Sequence, residues 1–466
     1  MSTDAPKLAQ GQLSTIDCVA QSLAVGPVFS GALLGGILAF VLSPGVGPFV
    51  IIITTIGILG LGRVVSEFAR RFAGSGTVYE FIARSLGNRA AVFAAATYHL
   101  AATALAGPGI AIVGGLLVRD FFNAHMGLDL PWWVWALIVA VIIVVVNLVG
   151  VKVSVKAQLG LIILSILPFL ILFVTVVFSS ETSNSFDSFH PGKTGDGSVF
   201  KGLLFAILMF VGFELSAALG EETKDPKKSI PRAVLATIGV VAVFYLITQY
   251  TLAIGATADL PDFGPMAEHY LSRPFAIWIE LAVILDVLAV GIGFQLAAAR
   301  GFFSLARDGV LPKALAKVNA KQLPQAGSLA VFGITVVTTL LALIKYGTDL
   351  VDPAGPDAFF NAKVFNGFLG TTVIGGMLIC AVYFLVCVGA LKLFATKNLL
   401  DLGGAILGLV TCGLGIAAQF IAGTEPSPGA VWGRTLGLIL VVLVAIWAAI
   451  AKKDVIERVA QHAIEH

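Results

Sequence analysis

Three acids and one histidine lie in stretches of this chain where charge is costly, and their types are the ones that could do chemistry. Glu214 sits within the apolar run 201–220 (KGLLFAILMFVGFELSAALG), directly after Phe210-Val211-Gly212-Phe213. A carboxylate at bilayer depth costs at least ~2.5 kcal/mol and is a functional residue by default. Two roles fit it. As a proton carrier, its protonation would follow the conformational cycle; as a structural residue, it would brace its helix against a neighbour through hydrogen bonds. Asp286 lies in the apolar run 275–304, with Glu280 nearer the end of that run. Asp286 reads either as a second proton site or ion ligand, or as an acid paired with a polar partner such as Gln295 or a bound water. His99 has the right chemistry for a proton relay near neutral pH. A lone histidine in such a stretch is more often a hydrogen-bonded packing residue.

The elements that position these groups follow from composition. The chain has 466 residues, of which 58% are apolar and 12% charged, with 51 glycines. No soluble domain could keep such a surface wetted, so an all-α integral membrane protein is expected. Each spanning helix needs ~20 apolar residues. Hydropathy places twelve spans near 17–43, 46–69, 92–118, 132–150, 156–178, 201–220, 233–255, 275–304, 327–345, 366–391, 402–422 and 431–451. The first sixteen residues are polar, and the apolar stretch after them is too long for a cleavable secretory signal. A net charge of +2 gives no argument for a nucleic-acid partner. Cys18, Cys380, Cys387 and Cys412 fall inside or at the ends of spans and read as small apolar packing residues. There is no Cys/His metal spacing, no phosphate-binding glycine loop and no Ser-His-Asp set within one compartment. Neither an enzyme nor a metal or cofactor is expected.

Orientation comes from the basic residues. With a cytoplasmic N-terminus, only Arg119, Lys193, Lys201, Arg273, Lys345, Lys363 and Arg434 lie outside, which leaves 22 of the 29 Lys and Arg inside. The positive-inside rule then puts both termini in the cytoplasm. The run from Arg307 to Lys321 is basic and suited to lie on the anionic inner leaflet, making membrane lipid a partner. The charged cluster around Lys224, Lys227 and Lys228 reads as a solvated cap that also contributes to an inner gate.

Two spans look interrupted. The first carries Ala24-Val25-Gly26-Pro27 at its middle; Pro27 has no N–H and its ring crowds the carbonyl of Leu23, so the helix opens there. The sixth carries Gly212 between two phenylalanines. Spans one and six are five apart, the arrangement two inverted five-helix repeats would produce, each opening with a broken helix. Freed backbone groups are tolerated at membrane depth where they line a cavity, so the breaks point to a midplane binding site.

Three loop motifs also carry a resemblance. Gly212-Phe213-Glu214, followed by Gly220-Glu221-Glu222-Thr223-Lys224-Asp225-Pro226-Lys227-Lys228-Ser229-Ile230-Pro231-Arg232-Ala233, resembles the G-F-E…G-E-E-x-x-x-P-x-x-x-I-P-x-A signature of the amino acid/polyamine/organocation (APC) permeases. Ala299-Arg300…Ala306-Arg307-Asp308-Gly309-Val310-Leu311-Pro312 is similar to that family's A-R…A-R-D-G-x-L-P. Glu67-Phe68-Ala69…Gly74-Ser75-Gly76-Thr77-Val78-Tyr79 is similar to its E-L-A…G-G-x-Y. The resemblance implies a leucine-transporter-like fold. Repeat one would span about 17–178 and repeat two about 201–391, with two extra helices over about 402–451. It implies a secondary active transporter that moves an amino acid or related amine across the cytoplasmic membrane by alternating access.

Within that frame the substrate site would be formed by Val25, Gly26, Pro27, Val28, Phe29 and Ser30 in span one and by Phe210, Gly212 and Phe213 in span six, the two phenylalanines walling or gating it. Half-helix N-termini suit a substrate carboxylate, and freed carbonyls with a nearby acid suit an ammonium. The family's G-S-G-x-F reads here Val25-Gly26-Pro27-Val28-Phe29. Pro27 deletes a donor and Val25 narrows backbone approach, and both departures argue against an ordinary α-amino-acid substrate. A tryptophan used by a guanidinium-specific relative is Leu208 here, which argues against arginine-like or agmatine-like cargo. Coupling is expected to use protons through Glu214 and Asp286. The alternatives are a sodium-coupled symporter or an exchanger: a lysine found in some members aligns with Ser165, whose hydroxyl suits an ion site. A transporter-like nutrient sensor and an ion channel are further alternatives, against which stand the short C-terminal tail and the lack of a repeated pore signature.

Overall fold

A computed structural model describes residues 11, 13–23, 27–39, 43, 45–72, 77–149, 151–193, 198–220, 222–257, 259–260, 262–307, 309–348, 363–420 and 428–458. The helices, in chain order, begin with α1 (Thr15–Ser22), α2 (Pro27–Phe29, continued by a π-helical turn over Ser30–Leu34), α3 (Gly47–Arg71) and α4 (Thr77–Leu86). They continue with α5 (Asn88–Ala104), α6 (Ile110–Met126), α7 (Trp132–Val149), α8 (Val151–Val177), α9 (Ser198–Phe210) and α10 (Pro226–Gly255). The last are α11 (Phe263–Tyr270), α12 (Arg273–Arg307), α13 (Gln325–Tyr346), α14 (Phe365–Leu393), α15 (Leu399–Ala417) and α16 (Pro428–Ile450). Among the described residues, eleven helical stretches are long and apolar enough to cross a membrane, and Gly202–Ala217 is a shorter apolar one.

Local sequence accounts for the ends of these helices. Ser14 caps α1 in a capping box, its side chain accepting from Asp17 N–H while Asp17 accepts from the Ser14 backbone. Pro48 stands in the first turn of α3, and Arg70 and Arg71 in its last, where cations meet the negative end of the helix dipole. Large apolar side chains on the outer helices face outward, among them Val145, Ile163, Val243, Leu341 and Ile446. That is the pattern for a bundle whose solvent is hydrocarbon.

The 35 residues of α12 are about 52 Å long at 1.5 Å per residue, and this helix runs through the interior. Most of its middle and C-terminal half is buried all round, and it packs on α8, α13, α5, α6 and α7. A helix apolar on every face belongs in the core, and this one carries Asp286 into it. Elsewhere α3 packs on α10 and α15, and α14 packs on α15 and α16.

Two features go beyond the sequence expectations. Residues 77–86, read as loop, form the amphipathic helix α4. The third apolar run is not one regular helix. Leu105–Gly109 forms a π turn around Pro108 between α5 and α6, since the proline ring excludes a carbonyl and supplies no N–H to the ladder.

Candidate functional site

Helix α9 ends at Phe210, and Val211 to Glu214 form turns before a 3₁₀ segment over Leu215–Leu219. Gly212 makes this possible: its φ of 114° is one that a side-chain-bearing residue adopts only under strain. The released groups find partners. Tyr245 donates its hydroxyl to the Met209 carbonyl, and Ser216 N–H donates to Ser22 Oγ at 3.2 Å, tying this segment to the end of α1.

Glu214 folds back on the break. Gly212 N–H donates to its Oε2 at 3.3 Å, and Tyr98 from α5 donates its hydroxyl to Oε1 at 3.1 Å. The carboxyl is 1% exposed. The Tyr383 hydroxyl of α14 lies close enough to interact with it, without hydrogen-bond geometry.

In span one, helix is described over Thr15–Ser22 and again from Pro27. Val25 and Gly26 lie outside the described residues. Phe29 N–H, which in an uninterrupted helix would turn to a carbonyl four residues back, donates instead to Asp286 Oδ2 at 2.7 Å. The Val28 N–H is directed at the same carboxyl. Asp286 is fully buried, and its Oδ1 has no hydrogen-bond partner. Its partner is thus the backbone of α2. Gln295 donates instead to the Ser328 carbonyl at 3.0 Å.

Two cavities flank this contact. The inner one, about 40 Å³, is walled by Phe29 and Ser30 of span one, Leu208 and Val211 of span six, Leu105, Gly109 and Ile110 around the π turn, and Val290, Phe294, Phe368 and Thr372. The outer one, about 360 Å³, lies at the end of the bundle away from the basic loops, where Asp120, Asp262 and Glu280 join apolar residues of α6, α11 and α12. The opposite end carries two long-range contacts. A buried ion pair joins Glu222 to Arg300, two residues the sequence motifs carried separately. Leu13 bridges to Thr223, accepting from Lys224 N–H at 2.8 Å and donating to the Glu222 carbonyl at 2.9 Å.

The other named residues fall around this centre. Pro27 and Val28 are buried beside Phe29 but are not among the cavity walls. Phe210 packs edge-on against Tyr245, and Phe213 against Tyr383, so on the span-six side Leu208 and Val211 form the wall. Leu208 packs against Gly376, where an added methyl would come within 2.3 Å of its Cδ2. Ser165 is buried and donates to Leu161 O within its own helix at 2.7 Å. His99 is buried with neither ring nitrogen hydrogen-bonded, and its ring packs edge-on against Tyr79 and Tyr98. Glu280 meets His125 Nε2 at 2.6 Å. The motif residues Gly74, Ser75, Gly76, Glu221 and Asp308 lie outside the described residues. The wall from the π turn had a signal, Gly107-Pro108-Gly109, that sequence reading passed over.

A bundle of apolar helices with a broken segment, buried carboxylates and a small interior cavity defines a multi-pass membrane protein. The comparisons with known proteins name its class. The amino acid permease family matches residues 18–449, so the chain belongs to that family and is not an enzyme. It is similar to the uncharacterized amino acid permease YvbW of Bacillus subtilis, at 27% identity over 70% of this chain and 74% of that one. It is also similar to the low-affinity putrescine importer PlaP of Escherichia coli, at 23% identity over 78% and 82%. The D-serine/D-alanine/glycine transporter of Escherichia coli matches at 27% identity over 43% and 46%. In fold it is similar to a mutant of the Eremococcus coleocola manganese transporter, with a TM-score of 0.57 at 12% identity over 97% of this chain and all of that one.

Proposed function

We propose that the protein is a proton-coupled secondary transporter of an amino acid or related amine, working by alternating access in the cytoplasmic membrane with both termini inside. The eleven long apolar helices and the shorter Gly202–Ala217 together make the twelve spans of this reading. Residues 17–178 and 201–391 are its two inverted repeats, and 402–451 its extra pair of helices. Amino acids are supported by the family and by the D-serine/D-alanine/glycine transporter, and amines by the putrescine importer.

One observation carries the reading: a fully buried carboxylate, Glu214, hydrogen-bonded to the backbone of a broken helix whose residues Leu208 and Val211 wall the central cavity. Motion of that segment changes which groups surround Glu214, so its protonation is linked to the state of the transporter. The seal at Glu222 and Arg300 and the cavity at the far end fit a state closed toward the basic loops.

The test is uptake into proteoliposomes under an imposed proton gradient. Glu214→Gln keeps the shape and hydrogen bonding of the side chain but removes its titration, and should abolish acceleration by the gradient while sparing exchange. A variant that concentrates substrate with the wild-type pH response would make Glu214 structural. Response to a sodium gradient alone would move the coupling site toward Ser165.

A further inference from the structure

The N-terminal end of the helical run beginning at Pro27 is where a substrate carboxylate would be expected to dock, because exposed N–H groups and the helix dipole favour an anion there. In this chain an anion of the protein's own is already present. Asp286 reaches from the middle of α12 and takes the Phe29 N–H at 2.7 Å, with Val28 N–H directed at it as well. Its second oxygen is buried and has no hydrogen-bond partner among the described residues. We infer that Asp286 stands in for the substrate's carboxylate, so that the cargo is an amine without one, whose ammonium group is received by Asp286 Oδ1. This rests on the transport reading above.

Four further observations agree. Asp286 itself lines neither cavity but stands between residues that do: Val283 walls the outer one, Val290 the inner one, and residues 283, 286 and 290 share one helix face. Phe29, whose N–H is held by Asp286, itself walls the inner cavity, and four residues on Leu33 walls the outer one. Phe29, Phe294 and Phe368 surround the inner cavity, and aromatic faces attract ammonium groups. Among the described residues no lysine or arginine lines either cavity, while Asp120, Asp262 and Glu280 line the outer one. Asp120 also contacts Arg119 at 3.5 Å, so its charge is partly compensated, and Glu280 meets His125 at 2.6 Å. A cavity edged by carboxylates raises the local concentration of a cation on its way in.

Carboxylate exclusion follows from the same geometry. A zwitterion entering this site would bring its own carboxylate to N–H groups already engaged, beside a like charge. An amine brings only the group for which an unpaired acceptor, Asp286 Oδ1, remains among the described residues.

The experiment compares amino acids with the amines formed by removing their carboxylate: valine with isobutylamine, phenylalanine with phenethylamine, and ornithine with 1,4-diaminobutane. Binding to the purified full chain in lipid nanodiscs is read as a ligand-dependent shift in thermal unfolding. In at least one pair the amine should bind tenfold or more tightly than its amino acid. Asp286→Asn keeps an oxygen for the Phe29 N–H but removes the charge, and should weaken that amine at least tenfold. Asp286→Ala vacates the N–H groups and should raise the affinity of the matching amino acid. Wild-type protein that prefers the amino acid in every pair, or binds no amine, overturns the inference, as does unchanged amine affinity in a folded Asp286→Asn. Should the variants fail to fold, the wild-type ranking still decides. Amines that bind as expected but are not carried into proteoliposomes would uphold the inference and sink the transport reading. Amino acids carried in preference to their amines would do the reverse.

Discussion

Glu214 and Asp286 are both buried carboxylates that receive a backbone N–H where a spanning helix is interrupted or begins again, yet they are held in opposite ways. Glu214 takes its N–H from Gly212, two residues back in its own turn, and its other oxygen is satisfied by Tyr98. Asp286 takes its N–H from Phe29, 257 residues away, and its other oxygen is left without a partner. An acid whose backbone partner lies in its own turn travels with that turn and exchanges only its side-chain partner, here Tyr98 of α5, as the segment moves. An acid that reaches from α12 to α2 is a clamp between two elements, and it must let go or be given another partner when they separate. The first arrangement suits a group that senses its surroundings, and the second suits one that meets the cargo.

The comparison can be broken by stability measurements on the purified protein. The largest loss is expected for Asp286→Ala, which leaves the Phe29 N–H buried without its charged acceptor. Hydrogen bonds to charged groups contribute up to about 3 kcal/mol, and about 2 kcal/mol of lost unfolding stability is expected. Gly212→Ala comes next, at about 1–2 kcal/mol, because its φ of 114° strains any residue with a Cβ. That variant should also lower transport, since relief of the strain rebuilds the turn that holds Glu214. Tyr98→Phe is expected to be the mildest. Hydrogen bonds between membrane helices average about 0.6 kcal/mol, and Glu214 keeps the Gly212 N–H when Tyr98 Oη is gone. A larger loss from Tyr98→Phe than from Asp286→Ala would mean that Glu214 is the clamp, and the distinction drawn between the two acids would fall. Equal losses from all three would point to a core that responds to any polar change alike.

Much of the bundle was legible from runs of apolar residues, because a bilayer imposes one length and one polarity on every helix that crosses it. The sixth run also declared its break, since a glycine between two phenylalanines followed by an acid is a local signal. The π turn at Pro108 was signalled as plainly by Gly107-Pro108-Gly109 and was passed over only because no acid drew attention to it. Helix α4 was read as loop because its ten residues are too few and too polar to register as a span. The walls of the inner cavity were harder to foresee. Phe210 and Phe213 are the larger side chains of span six, but they turn to Tyr245 and Tyr383, and the smaller Leu208 and Val211 face the cavity. Which side of a broken helix faces inward depends on where the break rotates it, and residue type alone does not carry that.

By itself the sequence determined that this is a membrane-embedded helical protein of the amino acid permease family, with costly carboxylates in its apolar runs and a proline at the middle of its first one. Only the tertiary structure decided what those carboxylates touch. The partner of Asp286 is a main-chain N–H, which every residue but proline has, so no pattern of side chains could announce it. Glu222 and Arg300 stood in separate motifs until packing buried them as a pair. Hydrophobic runs are local and are read residue by residue, whereas the meeting of α12 with α2 joins points 257 residues apart and exists only once the chain has folded.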